Sequence, residues 1–358
     1  QVIKAFREGG CTLPLPPSQA TIHRMMNFIV AGDVPEDYVP MMLEEMELDG
    51  TDQRSDAWTD EVPAEARAQH KVLVIGGGMS GVLAAYRLQE SGISFVVIEK
   101  NAAVGGTWFE NRYPGARVDV GNHLYSYSFE PAHHWTQYFS QQKELQQYFE
   151  GVVHHHQLKQ HFRFNTEVTG AVFDEVNKEW IVNTIDKDGI EERYVANSVI
   201  SAVGQLNRPV FPDIPGIDSF AGQWCHSAAW DDSIDCRGKK VVVVGSGASA
   251  FQLVPTIAGD VGQLTVFQRS APWMFENPIY HTEVPQGKKW CLQNLPFYTR
   301  WFRFLIFWPA CDGAYETVFV DPEWSHQERS INEMNDFVYQ MFLDHIKSQV
   351  GDDEELLK

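Results

Sequence analysis

The sequence has little of what would bind nucleic acid or cross a membrane. Its 358 residues include 28 lysines and arginines against 48 aspartates and glutamates, which gives a net charge of −20. Nucleic-acid affinity comes largely from basic side chains that displace counterions from phosphates, so no nucleic-acid partner is expected. There is no run of about 18 apolar residues to span a bilayer and no basic-then-apolar signal peptide. A cytoplasmic location without a membrane segment is the expectation.

Cysteine is also scarce, and its spacing excludes the common metal and redox motifs. The five cysteines are Cys11, Cys225, Cys236, Cys291 and Cys311, never closer than eleven residues. Without a C-x-x-C pair, a zinc ribbon and a redox-active disulfide are both disfavoured. Three consecutive histidines, at 154–156, have no cluster of carboxylates or cysteines beside them, and consecutive side chains diverge around a helix. They are interpreted as a solvated helix end, and no metal site is predicted.

The acidity is concentrated near the N-terminus. Residues 31–65 contain twelve carboxylates and one arginine, Arg54, a net charge of −11. Apolar residues before and inside this stretch recur at helical spacing. They are Ile22, Met25, Met26, Ile29, Tyr38, Met41, Met42 and Leu43. The pattern predicts a helical extension and a polar linker over residues 1–69. Two interpretations stay open: a solvated acidic face on packed helices, or a homodimerisation arm whose apolar stripe meets a partner subunit.

The first chemical signal is the segment KVLVIGGGMSGVLAAYRLQESGISFVVIEK, which starts at residue 71. It predicts a strand at 71–75, a helix at 79–91 and a strand at 94–99. Gly76, Gly78 and Gly81 occupy the G-x-G-x-x-G positions, which permit a tight turn, approach to a pyrophosphate and close helix–strand packing.

The residues around those glycines complete a dinucleotide site. Met79 and Ser80 begin the predicted helix, where backbone amides attract phosphate. Glu99 lies 21 residues after Gly78, at the end of the second strand, where a carboxylate can accept hydrogen bonds from ribose hydroxyls. An acid at this position favours a free 2′-hydroxyl, as in FAD or NAD.

A second glycine motif follows 169 residues later, in KKVVVVGSGASAFQLVPTIAGDVGQLTVFQR. It predicts a strand at 239–244, a helix at 248–258 and a strand at 264–268. Its second strand ends in Arg269, and a guanidinium suits the 2′-phosphate of NADPH. The alternative is a surface arginine at a strand end. The predicted NADP contacts are Gly245, Ser246, Gly247, Ala248, Ser249, Ala250, Gln252, Arg269 and Ser270.

These signals predict an α/β fold with two Rossmann-like dinucleotide-binding domains. FAD would bind residues 70–220, and NADPH would bind residues 221–358, which include a helical insertion. The segments 178–186 and 192–205 are expected to form a hairpin that returns to a strand of the first domain. An aromatic segment at 295–310, interrupted by Arg300 and Arg303, is expected in the core or a substrate tunnel rather than on a membrane interface.

Two further stretches resemble type I Baeyer–Villiger monooxygenases, which are class B flavoprotein monooxygenases. GGTWFENRYPGARVD, at 105–119, resembles the segment that wraps the flavin. FAGQWCHSAAWD, at 220–231, matches the fingerprint FxGxxxHxxxW followed by Pro or Asp. Its fixed positions are Phe220, Gly222, His226, Trp230 and Asp231. The resemblance covers about 70–350, and VDVGNHLYSYSFEP at 118–131, with the helical extension, is most similar to the 4-hydroxyacetophenone monooxygenase group.

The resemblance implies roles for particular residues. Further FAD contacts would be Gly106, Thr107, Trp108, Asp119, Tyr125 and Val168. Asp119 would lie at the flavin–nicotinamide junction and pair with an arginine, while His226 would serve domain motion from the linker. NADPH would reduce FAD, and O2 would add at flavin C4a to give a peroxide. That peroxide would attack a ketone, for example an aryl ketone, and yield an ester or lactone.

One feature departs from the family pattern. The peroxide-stabilising arginine of the family follows a Lys-Arg pair in a loop that would come after GDDEELLK, together with the closing parts of both domains. The C-terminal part of the fold is therefore expected to be absent from this chain. Two alternatives remain: an N- or S-oxygenating flavin monooxygenase, whose fingerprint usually ends differently from HxxxWD, and a non-catalytic nucleotide-binding fragment.

Overall fold

The chain alternates strands and helices through its middle and has helices on either side. The computed structural model describes residues 17–48, 52–55, 62–270, 272–310 and 312–351, together with 4, 7–9, 353 and 355. Cys11, Cys311 and parts of the predicted linker lie outside the described residues. None of the helices in these ranges is long and apolar enough to cross a membrane.

The first dinucleotide module is built on a four-stranded parallel sheet. Its strands are β1 (Lys71–Ile75), β2 (Ser94–Ile98), β3 (Phe162–Arg163) and β7 (Ser198–Ser201), in the order β3-β2-β1-β7. Parallel strands are buried on both faces, and KVLVI meets this requirement because Leu73 and Val74 are fully buried. The helix Met79–Glu90 crosses from β1 to β2. The predicted strand–turn–helix–strand unit is confirmed to within a residue at each end.

A three-stranded antiparallel sheet is inserted before β7. Its strands are β4 (Thr166–Asp174), β5 (Glu179–Asp186) and β6 (Glu191–Ala196). The predicted hairpin is confirmed, but its second half divides at Asn197 into β6 and β7. β6 pairs with β5, whereas β7 pairs in parallel with β1. The chain thereby returns to the first sheet and ends β7 beside the first glycine turn.

The second module repeats the first with fewer elements. Strands β8 (Lys240–Val244) and β9 (Gln263–Phe267) pair in parallel, and the helix Ala248–Ile257 connects them. Side chains on this sheet are exposed, including Val244 (63%) and Phe267 (60%). The α/β class with Rossmann-like units is confirmed. Within the ranges given above, the other α-helices are Gln19–Val30, Tyr38–Met46, Ala64–Gln69, Thr107–Glu110, Gln142–His155, Gln286–Asn294, Tyr298–Ala310 and Glu333–Val350. Short 3-10 turns cover Lys159–His161, Ile217–Ser219, Ser227–Ala229 and Asp312–Val318.

The N-terminal helices pack on the aromatic helix Tyr298–Ala310 of the same chain. Their shared core is Ile22, Met26, Val34, Val39, Met42, Met46, Leu48, Phe304 and Trp308. Two members of the predicted stripe, Met25 and Met41, are instead exposed, because each lies one position, or about 100°, away from the buried line. The apolar stripe is therefore covered within the chain, and residues 295–310 contribute to the core.

A buried arginine attaches the acidic arm to the first module. Arg303 is 5% exposed. Its guanidinium donates to the Glu45 carboxylate at 2.9 Å and to the carbonyl oxygens of His123 and Ser126 at 2.7 and 3.2 Å. Burial raises the pKa of Glu45, but Arg303 and Arg54 outweigh it and lower that pKa overall. Arg300 forms a parallel pair with Glu47 at 2.5 Å.

We expect Arg303→Met to lower the free energy of unfolding by about 3 kcal/mol. The change removes the buried partner of the Glu45 carboxylate, which then keeps only Arg54, and it leaves two carbonyls without this donor. The control is Arg54→Met, since Arg54 reaches Glu44 and Glu45 from an exposed position. That variant should lose about 1 kcal/mol or less. Urea unfolding followed by far-UV circular dichroism measures both. Equal losses would show that the buried position of Arg303 has no special effect.

Candidate functional site

A cleft opens at the carboxyl ends of β1, β2 and β7, where ligands bind open α/β sheets. Its volume is about 220 Å³. The predicted FAD contacts that line it are Gly76, Gly78, Met79, Ser80, Glu99, Gly106, Thr107, Trp108, Tyr125 and Val168. A wider surface hollow, between 316–321 and 332–337, contains none of the predicted site residues. The cleft, although smaller, is therefore the candidate site.

The three motif glycines have different tasks. A Cβ at Gly76, where φ is +103°, would lie 2.6 Å from the Ala202 carbonyl oxygen. A Cβ at Gly81 would lie 1.8 Å from the Gly76 carbonyl oxygen. These two positions therefore allow backbones to touch behind the cleft.

A Cβ at Gly78, in contrast, would cause no clash. The nearest atom to a Cβ there would be the Gly106 Cα, at an ordinary 3.6 Å. No side chain caps the helix that starts after Gly78. Its first amides are thus available to an anion, such as a pyrophosphate, in the cleft.

Glu99 supports the turn as well as facing the cleft. The carboxylate is 3% exposed and accepts from the backbone N–H groups of Gly77 (2.5 Å) and Asn101 (2.7 Å). A carboxylate has about four lone-pair sites, so two remain for another donor. The supporting role was not anticipated from sequence, and the ribose contact stays a prediction.

One wall of the cleft is held by two glutamines that carry no motif. The Trp108 indole donates to the Tyr125 hydroxyl at 3.1 Å, and burial raises the pKa of Tyr125. From the helix Gln142–His155, the Gln142 side chain donates to the Trp108 carbonyl. Gln146 donates to the Val104 carbonyl at 2.6 Å. The available signal was their spacing, one helical turn apart on a helix that buries its other face.

Polar residues that follow the strand ends also line the cleft and were missed. They include Lys100, Asn101, Asn207 and Arg208. Lys100 pairs with Glu110 at 2.9 Å, and Arg208 pairs with Glu167 at 3.0 Å. Lys100 and Asn101 follow the end of β2 closely, and Asn207 and Arg208 lie six and seven residues after β7. The carboxyl ends of parallel strands share one edge, which was the available signal.

The second glycine turn has a similar backbone geometry, but an arginine, Arg269, comes shortly after its second strand. Gly245 has a φ of +110°, and Gly247 precedes the helix Ala248–Ile257 without a side-chain cap. The Ser246 hydroxyl donates to the Ser270 carbonyl at 3.3 Å and so fixes the turn beside the end of β9. Arg269 is exposed and forms no ion pair with any residue of the described ranges. A phosphate could approach this guanidinium without displacing an acid.

Gln252 contacts residues of the first module. Its side-chain oxygen accepts from the Tyr113 hydroxyl (2.8 Å) and the Arg117 backbone N–H (3.2 Å). Its amide nitrogen donates to the Arg117 carbonyl and the Tyr280 hydroxyl, both at 2.9 Å. A Cβ at Gly115 would lie 2.6 Å from the Gln252 carbonyl oxygen. The Gln252 side chain therefore joins the two modules, a role that the sequence did not predict, and its contact with a nucleotide stays a prediction.

Asp119 lies at this same junction, although it does not line the cleft. It is exposed and forms no ion pair within the described ranges. Burial raises the pKa values of Tyr125 and Tyr280, and the Asp119 charge adds to this increase. Burial also raises the pKa of Tyr113, although a hydrogen bond with Ser249 partly opposes it. Tyr125 belongs to the cleft and Tyr280 to the Gln252 contact, so the Asp119 charge acts on groups of both modules.

The segment 220–231 forms the connection between β7 and β8. The His226 Nδ1 accepts from the Ala228 N–H at 3.1 Å, which caps a short 3-10 turn, and its ring meets Phe211 edge-on at 5.5 Å. Gly222 lies against the Phe220 ring, and Trp230 packs beside Leu253 and Ile257. Asp231 accepts from the Ser233 N–H at 2.9 Å. These contacts are structural, and none of the five fixed residues lines the cleft.

Residues 73–288 match the family model described as pyridine nucleotide-disulphide oxidoreductase. The chain belongs to that family. Within the family it groups with the Baeyer–Villiger monooxygenases. It is 43% identical to a Baeyer–Villiger monooxygenase of Streptomyces coelicolor over 66% of this chain and 44% of that protein. It is 35% identical to the uncharacterized monooxygenase y4iD of Sinorhizobium fredii, over 95% of this chain and 50% of that protein.

The solved structures that this chain resembles include cyclohexanone monooxygenases. The closed crystal structure of cyclohexanone monooxygenase matches with a TM-score of 0.57 and 35% identity, over 62% of this chain and 42% of that one. The Rhodococcus sp. Phi1 cyclohexanone monooxygenase bound to NADP+ matches with a TM-score of 0.62 and 29% identity, over 80% and 58%. The chain thus spans about half the length of the curated relatives it matches.

We expect Gly81→Ala to lower the free energy of unfolding by about 3 kcal/mol, because the new methyl group would overlap a backbone oxygen. Gly151→Ala is the control, since a Cβ at this helical glycine meets nothing within 4 Å. That variant should gain about 1 kcal/mol from helix propensity. Urea unfolding measures both, and a Gly81→Ala chain as stable as the wild type would contradict the close approach.

Proposed function

We propose that the protein is an NADPH- and FAD-dependent monooxygenase that inserts one oxygen atom of O2 next to a ketone carbonyl and forms an ester or lactone. The observation that carries this proposal is the pairing of two glycine turns with opposite terminal charges. Glu99 faces the first turn, Arg269 follows the second, and Gln252 joins the two modules. Hydride transfer between two dinucleotides needs two nucleotide sites that are held next to each other.

The first cleft fits FAD. The uncapped amides of Met79 and Ser80 suit the charge of a pyrophosphate, and Glu99 has lone pairs left for a ribose. Gly106, Thr107, Trp108, Tyr125 and Val168 would line the rest of the group. When bound, FAD supplies electron storage and O2 activation, which the amino acids cannot provide. A relative from Aspergillus niger, 36% identical, is named FAD-binding monooxygenase ktnD.

The second turn fits NADPH. We assign Arg269 to the 2′-phosphate, and the backbone at Gly245–Ala250 and Ser270 to the rest of the nucleotide, with the Gly247 turn open to the pyrophosphate. A Cβ at Gly245 or Gly247 would meet nothing within 4 Å, so a ligand can approach the backbone closely. Solved relatives bound to NADP+ support the assignment.

The chain's own residues would position the reactants. Gln252 fixes the separation of the modules through four hydrogen bonds to groups that flank both sites. Asp119 places a negative charge between the modules, where we assign it to the flavin–nicotinamide junction. The Trp108–Tyr125 pair closes one side of the cleft with little-exposed aromatic surface, which limits access of water.

We propose ketones as the substrate class, because one relative, 36% identical, is named acetone monooxygenase. The finer proposal, an aryl ketone as in the 4-hydroxyacetophenone monooxygenase group, rests on residues 118–131 and the helical extension. We retain 1–69, 70–220 and 221–358 as proposed domain boundaries. A homodimer through the N-terminal helices would use their exposed side, which includes Phe28 (86% exposed).

We expect NADPH to bleach the flavin of the purified, FAD-loaded chain under anaerobic conditions much faster than NADH. Arg269→Ala should raise the KM for NADPH about tenfold to hundredfold, because a hydrogen bond to a charged group is lost. The KM for NADH should stay unchanged. Arg237→Ala is the control, because Arg237 is an exposed arginine of the same module that pairs with Asp235. Equal preference for both cofactors, or a chain that retains no flavin, would contradict the assignment.

With air, NADPH and a panel of alkyl and aryl ketones, we expect products one oxygen heavier than the ketone, identified as esters or lactones by mass spectrometry. Use of 18O2 should place the label in the product. Sulfoxides or N-oxides from matched sulfides and amines, with no ester from any ketone, would instead favour the related N- and S-oxygenating enzymes.

A further inference from the structure

The end of the helix Gln142–His155 brings two histidines to one carboxylate. His155 Nδ1 lies 2.9 Å from one oxygen of Glu130, and His156 Nε2 lies 2.8 Å from the other. One ligand atom from each residue lies within 4.8 Å of the other two. The sequence interpretation, a solvated helix end without a flanking cluster of carboxylates or cysteines, considers only neighbours in sequence, whereas Glu130 comes from 25 residues earlier in the chain.

The two consecutive histidines lie close together although they are neighbours in the chain. Side chains one position apart on a helix point about 100° apart. Here the helix ends at His155, and the two ring centroids lie only 4.8 Å apart.

Neighbouring groups hold two of the three residues in place. The His156 side chain is 21% exposed, and its ring meets the Tyr86 ring edge-on at 4.7 Å. Its carbonyl accepts from Gln89 at 3.0 Å, and the Glu130 carbonyl accepts from the Tyr148 hydroxyl at 2.8 Å. Contacts of this kind orient metal ligands before an ion arrives.

We propose that Glu130, His155 and His156 bind a divalent cation of the zinc class. Two imidazoles and a carboxylate suit Zn²⁺, whereas Mg²⁺ and Ca²⁺ prefer oxygen ligands alone. Zn²⁺ holds tetrahedral ligand atoms about 3.4 Å apart, given bond lengths of about 2.0–2.1 Å. The His155 side chain is 68% exposed and can rotate to close the remaining gap, and water completes the coordination.

The ion would act as a structural clip. It would take the place of the two contacts between the imidazole nitrogens and the Glu130 carboxylate. The site lies at the opposite end of the helix from Gln142, about 20 Å away at 1.5 Å per residue. That distance separates it from the cleft, and its occupancy should leave flavin binding unchanged.

The test is calorimetric titration of ZnCl2 into the untagged chain after treatment with a chelator. We expect one saturable event that His155→Ala, His156→Ala and Glu130→Gln each weaken about tenfold or more. His154→Ala is the matched control, since His154 belongs to the same run of three but not to the cluster. It should bind as the wild type does. Co²⁺ should give a visible d–d band that His155→Ala abolishes.

His155→Ala is the decisive variant, because this exposed side chain can be truncated without disturbing the packing that surrounds His156. The proposal is overturned if the wild type shows no saturable Zn²⁺ binding, or if His154→Ala weakens it as much as His155→Ala does. Flavin content measured on the same samples should be equal in all variants, which separates this site from the dinucleotide cleft.

Discussion

The candidate site depends on backbone segments that come closer than side chains would allow. Gly76 lies against the end of β7, Gly81 lies against Gly76, and Gly106 lies against Gly78. A Cβ at Gly76, Gly81 or Gly106 would meet backbone within 2.9 Å. Because the turn is this tight, the helix Met79–Glu90 points its free amides into the cleft, and the Glu99 carboxylate can reach the Gly77 N–H. The chemistry proposed for the cleft follows from this packing.

The local parts of this arrangement could be predicted from sequence, because they follow from neighbouring residues. The strand KVLVI, the glycine spacing and the acid at Glu99 determine a strand–turn–helix–strand unit without reference to the rest of the chain. Gln142, Gln252 and Glu130 could not be predicted in the same way. Each is a single polar residue whose partners lie 25 to 139 residues away. Their roles arise from tertiary contact and leave no local pattern.

The acidic N-terminal helices have a structural role that their composition did not reveal. The Glu45 carboxylate accepts a hydrogen bond from Arg303, and Arg303 also donates to the carbonyls of His123 and Ser126. Burial is the main reason that the pKa of His123 falls to about 3, so its ring is neutral beside the guanidinium. Tyr125 lies within this segment and accepts the hydrogen bond of Trp108. The arm is thus connected, through one arginine, to a wall of the cleft.

The Gln252 contact has a consequence for the conditions under which the modules stay together. Its amide exchanges two hydrogen bonds with the backbone of Arg117, as one residue pair of an antiparallel ladder does. Neither partner in this exchange carries a net charge. The Arg112–Asp232 pair between the same modules, at 3.4 Å, is exposed and therefore screened by salt. Rising ionic strength should weaken that pair while the seam at Gln252 stays intact.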